Sequence, residues 1–135
     1  VFALTRLHPL PGDTLGPEDV AALIEEMRKF TEGAVEPVRL EADRIGARFE
    51  DGTVRCPPAY RDIYRQWIEG GWQGLPADEA HGGQGLPFAL AAALKELLTT
   101  ADHAFSLCPT LTWGAIELLE KHTTEEQAVR LLPPL

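Results

Sequence analysis

The sequence predicts a mainly α-helical fold, a bundle of about five to six helices interrupted by one long glycine-rich loop. Three observations carry this. Apolar residues recur at helical spacing over most of the chain, with charged residues between them. The single hairpin candidate is too short to found a sheet. Glu69 to Pro87 holds six glycines and two prolines between two helical patterns, a composition that loses much backbone entropy on folding unless something fixes it.

Residues 1–16 read as an irregular lead-in, broken by His8-Pro9, Pro11-Gly12 and Gly16-Pro17. The helical domain is expected over 17–135. Pro17 suits the first turn of a helix, and Glu18 and Asp19 sit favourably at its positive end. Val20, Leu23, Ile24, Met27, Phe30 and Ala34 form an apolar stripe against Glu25, Glu26, Arg28 and Lys29. Gly33 weakens this helix and Pro37 is expected to kink it, with the pattern continuing through Val38 and Leu40 to Ile45. Gly46 stops it, and Asp51-Gly52 reads as a turn between Phe49 and Val54, a small hairpin.

Pro57-Pro58 opens the next helix, with Tyr60, Ile63, Tyr64 and Trp67 on one face and Gly70-Gly71 at its end. After the loop, Pro87 starts a helix whose face is Leu90, Ala91, Leu94, Leu97 and Leu98. It is apolar on most sides and so expected between other helices. Asp102-His103 interrupts. A further helix is expected from Pro109 to Lys121, with Leu111, Ala115, Leu118 and Leu119 packed inward. Thr124-Glu125-Glu126-Gln127 has the spacing of a capping box, and Pro133-Pro134 ends the short helix it opens.

At 135 residues the chain is long enough for one domain with a real core. Its longest strongly apolar stretch, Phe88 to Leu94, is far too short to span a bilayer. Val1 to Leu4 shows neither the basic flank nor the cleavage site of a secretory signal. A net charge of −9, from 12 basic and 21 acidic residues, disfavours nucleic acid and anionic membrane as partners. Cys56 and Cys108 lack C-x-x-C spacing; they leave room for one disulfide, but reduced, buried thiols of a cytoplasmic protein fit better. His8, His81, His103 and His122 lie too far apart to suggest a metal site.

The loop is not G-x-G-x-x-G, follows no hydrophobic strand and has no P-loop lysine, which argues against a dinucleotide or Walker site. Trp67, Trp72 and Trp113 read as core. His81 reads as a solvated loop histidine, and no nucleophile with an adjacent base is evident. Taken alone, these residues describe a helical domain with an ordered loop and no visible reaction.

Three blocks resemble the amino-terminal domain of the acyl-CoA dehydrogenases. They are Lys29-Phe30 through Val35-Glu36-Pro37, Gly71-Trp72-Gln73-Gly74 through His81-Gly82-Gly83-Gln84-Gly85-Leu86-Pro87, and Pro109-Thr110-Leu111-Thr112 through His122-Thr123-Thr124-Glu125-Glu126-Gln127 to Leu131-Leu132-Pro133. Phe2-Ala3-Leu4, Asp43-Arg44-Ile45-Gly46 and Asp51-Gly52-Thr53-Val54-Arg55-Cys56-Pro57 are similar to the longer subgroup that includes the 3-methylmercaptopropionyl-CoA type. Thr123 stands where the family commonly has glycine.

The resemblance implies an oxidoreductase of fatty acid metabolism that dehydrogenates an acyl-CoA thioester between Cα and Cβ. FAD takes the hydride and a glutamate takes the proton. It implies that the middle β-domain, the carboxy-terminal helices and the base are absent from this chain, so the piece alone is expected to be inactive and to hold no FAD tightly. The remaining domains of the same enzyme and further copies of it are the implied partners. By position, Leu107, Thr110, Leu111 and Gly114 are expected to face the acyl chain, and Gly82, Gly83 and Gly85 to shape the route past it by close backbone approach. Two other readings stand beside this one: a helical assembly module that keeps the fold without the chemistry, and a free-standing domain that binds a ligand through the loop.

Overall fold

The computed structural model describes residues 15–133; the expected lead-in falls almost wholly outside them, as does Pro134. Helix α1 spans Pro17–Phe30, with the Asp19 carboxylate accepting from the Gly16 N–H at 2.8 Å. It continues through a π turn, Thr31–Val35, into α2, Glu36–Ile45. This is the form the Pro37 disturbance takes. In regular α geometry the proline ring would strike the carbonyl four residues back, and the turn widens just ahead of it instead. Thr31 and Val35 are buried, and the widened turn packs against the fourth helix.

Strands β1, Arg48–Glu50, and β2, Thr53–Arg55, pair antiparallel with Phe49 opposite Val54. Asp51 and Gly52 both take positive φ, 48° and 77°, which matches the twist of a two-residue hairpin. Helix α3, Ala59–Glu69, buries Ile63 and Trp67 and leaves Tyr60 and Tyr64 half-buried, as its stripe predicts.

Helices α4, Phe88–Ala101, and α5, His103–His122, meet at one residue. Asp102 ends α4 and begins α5, its carboxylate accepting from the Phe105 N–H at 3.0 Å. The expected start of α5 at Pro109 is therefore wrong by six residues, because the aspartate cap outweighs the single N–H that proline removes. The expected inward face is wrong as well. Leu111 and Leu118 are exposed, while Ala115 and Leu119 are only half-buried. A second stripe, Phe105, Pro109, Trp113 and Ile116, takes the core instead, and its aromatic rings hide more surface there than leucines could. Cys56 and Cys108 are free but exposed, not buried.

Helix α6, Glu125–Leu131, begins with the capping box that the sequence predicts. Thr123 before it is extended, with φ −107°, so no glycine geometry is needed there. The core lies where α1, α3, α4 and α5 converge. Trp67 sits at its centre, its ring 6.1 Å from Phe30, 6.3 Å from Trp72 and 6.1 Å from Trp113. Among the described residues no helix is long and apolar enough to cross a membrane.

Candidate functional site

The loop between α3 and α4 is closed on itself. Gly82, Gly83, Gln84, Gly85 and Leu86 donate their N–H groups to Glu79, Asp78, Gly74, Ala77 and Leu75, at 2.8 to 3.1 Å. Glycine is required at Gly83, where a Cβ would lie 2.1 Å from the Ala77 oxygen. With these donors turned inward, the stretch is no phosphate cradle, which needs N–H groups pointing at the ligand.

Two residues fasten the loop to α5. The Asp78 N–H donates to Glu120 at 2.8 Å. Gln73, 4% exposed, is the deeper anchor. Its side-chain oxygen accepts from the Trp67 indole at 2.9 Å, its backbone oxygen accepts from the Trp113 indole at 2.7 Å, and its amide donates to the Pro109 carbonyl at 3.4 Å. One residue thus satisfies two buried indoles and ties loop, α3 and α5 together. At the helix junction, Tyr60 donates to buried Asp102 at 2.8 Å. Burial first, and then this carboxylate, raise the Tyr60 phenol above its ordinary value.

Helices α4 and α5 flank an open groove of about 620 Å³, within the size range of small-molecule sites. Phe88, Ala92, Trp113 and Gly114 give it apolar walls, and Lys95, Glu96 and Glu117 stand on it. Its hydroxyls are spent as donors: Thr110 on the Ser106 carbonyl at 2.7 Å, Thr100 on the Glu96 carbonyl at 2.8 Å, Thr99 on the Ser106 hydroxyl at 3.3 Å. Their oxygens are left as acceptors, beside their methyl groups. Lys95 has no ion-pair partner among the described residues.

The candidates named from the sequence divide here. Thr110 and Gly114 line the groove, and a Cβ on Gly114 would meet nothing within 4 Å. Leu107 and Leu111 stand on the outer face of α5, 51% and 75% exposed, together with Leu118. Gly82, Gly83 and Gly85 do not line the groove, and the close approach of Gly83 is to the loop itself. His81 is half-buried rather than solvated, with Nδ1 enclosed and unpartnered among the described residues. Sequence reasoning missed Phe88, Ala92, Lys95 and Trp113. The available signal was the pairing of a helix apolar on most sides with an adjacent Trp-Gly step. No cluster of metal-ligating side chains occurs among the described residues.

The family profile described as acyl-CoA dehydrogenase, N-terminal domain, matches residues 17–135. The chain belongs to the acyl-CoA dehydrogenase family. It is 38% identical over 118 residues to the 3-methylmercaptopropionyl-CoA dehydrogenase of Ruegeria pomeroyi, covering 87% of this chain and 20% of that protein. It is 31% identical over 107 residues to the broad-specificity linear acyl-CoA dehydrogenase FadE5 of Mycobacterium tuberculosis, covering 78% and 17%. A butyryl-CoA dehydrogenase of Syntrophomonas wolfei is 26% identical over 126 residues, covering 91% and 20%. The chain therefore spans about a fifth of the length of these curated acyl-CoA dehydrogenases.

Proposed function

We propose that this chain walls part of the acyl-chain pocket of a longer FAD-dependent acyl-CoA dehydrogenase, an oxidoreductase acting on a CH–CH bond, and is inactive alone. The observation that supports this most is the α4–α5 groove, whose hydroxyl hydrogens are already engaged by the protein. Such a surface offers methyl, aromatic and glycine contacts to a hydrocarbon chain, at about 0.8 kcal/mol per methylene removed from water. Gly114 leaves depth, and Trp113, fixed by Gln73, forms a rigid floor. Leu107 and Leu111 become pocket wall only where another part of the enzyme covers them.

When bound, FAD supplies the hydride acceptor. The described residues do not fit its pyrophosphate: the loop N–H groups from Gly82 to Leu86 are engaged, and the groove has one lysine. The flavin and the base accordingly belong to other parts of the longer protein. This chain's contribution is to hold the acyl chain and exclude water.

A second reading, the non-catalytic assembly module, draws support from the bare Leu107, Leu111 and Leu118 stripe. Gly114→Val separates the two. The new side chain meets open space, so the fold should survive. In the full-length enzyme kcat/KM should fall about tenfold or more for hexanoyl-CoA while propionyl-CoA is spared. An equal effect on both substrates, or none, would overturn the pocket reading.

A further inference from the structure

We propose a second ligand site, between α1 and the loop, which takes a neutral apolar molecule through a carbonyl oxygen held by the Trp72 indole N–H. The chain has three tryptophans. Trp67 and Trp113 donate their indole N–H groups to Gln73. Trp72 is 9% exposed, yet its indole N–H has no partner among the described residues. The nitrogen is open to solvent, so an acceptor supplied from outside would take the place of water on a donor flanked by apolar walls. The indole nitrogen is not sealed in, since His81 Nδ1 is the single enclosed and unpartnered side-chain nitrogen or oxygen among the described residues.

The opening is a groove of about 490 Å³, within the size range of small-molecule sites. Its walls are Leu23, Phe30, Leu75 and Trp72, and Gly70 lies directly beside the indole nitrogen. A Cβ on Gly70 would stand 2.6 Å from Trp72 Nε1, so the missing side chain is what lets the indole lie there. The rim decides the ligand's charge. Lys29 is paired with Glu26 at 2.7 Å, and the Gln84 amide donates to the Gly71 carbonyl at 2.8 Å. Among the described residues no free cation faces the groove, and the chain carries −9, so a carboxylate or phosphate is disfavoured and an uncharged ketone, ester or thioester is favoured. This site is separate from the α4–α5 groove: no residue lines both.

The tryptophans are also the reporters. In ¹⁵N-tryptophan-labelled protein, with each indole signal assigned by a Phe substitution, 2-hexanone should move the Trp72 indole proton downfield and saturably. Trp67 and Trp113 should stay in place, and hexane-saturated buffer should give no downfield shift. Trp72→Phe keeps the ring and loses the donor, so ketone affinity read from the ligand's own signals should fall about fivefold. If that variant does not fold, the titration of the unaltered protein still decides. A motionless Trp72 signal, or a linear drift of all three, overturns the proposal. A shift of Trp113 alone also overturns it, because it puts the ketone in the other groove and leaves the acyl-pocket reading intact.

Discussion

The glycine loop and the outer face of α5 invert the usual expectation about loops and helices. The loop has the composition of a flexible segment, yet its N–H groups from Gly82 to Leu86 are met from within and Gln73 nails it to the core. The helix is regular over 20 residues, yet Leu107, Leu111 and Leu118 lie bare along it. The difference teaches where completeness lies. A segment that satisfies itself is finished scaffold, whereas a regular element with an unmet apolar face is made for something that covers it.

The contrast breaks first at Gly83. Gly83→Ala drives a methyl into the Ala77 carbonyl, and stability should drop by at least about 4 kcal/mol, measured by urea titration, or the protein should fail to fold. A mild loss would mean that the loop is soft after all. Gln73→Leu comes next. It strands the buried Trp67 indole, while the Trp113 indole keeps the backbone oxygen of residue 73, and should cost about 2 kcal/mol, with a change in near-ultraviolet dichroism from the tryptophan cluster.

Tyr60→Phe should cost about 1 kcal/mol at neutral pH. Its effect also has a pH signature. The folded-state value of Tyr60 is raised, so the stability linked to it is complete below the ordinary tyrosine value of about 10 and declines as pH rises beyond it, where the unfolded phenol ionises first. Urea midpoints taken across that range should fall less steeply for Tyr60→Phe than for the unaltered protein. The smallest stability effect belongs to the outer face. Replacing Leu107, Leu111 and Leu118 by serine should change stability by less than about 0.5 kcal/mol each. The same change should suppress the dye binding or self-association expected of the isolated domain, read by fluorescence and sedimentation.

Much of the fold was legible because its signals are local. The α1 stripe, the Asp51-Gly52 turn, the α4 face and the Thr124 capping box are all written within a few residues. The start and facing of α5 were not. Two apolar stripes compete on that helix, and the choice between them is made by Trp67 and Gln73 from distant segments. The family was legible from the order of its blocks, which the profile match over 17–135 bears out. The groove was legible only in part. Thr110 and Gly114 could be placed by resemblance, but Phe88, Ala92 and Lys95 come from the facing helix, and pairing across helices leaves no mark in a single sequence.

Asp102 is the one residue between α4 and α5. Because α4 and α5 share it, no linker exists there to be lengthened or shortened, and the angle between the two cylinders is locked at a one-residue elbow. The bore of the cleft beside that elbow is then retuned by swapping the bulk of lining residues such as Phe88, Ala92 or Gly114, as a key is cut on its teeth while its stem stays the same.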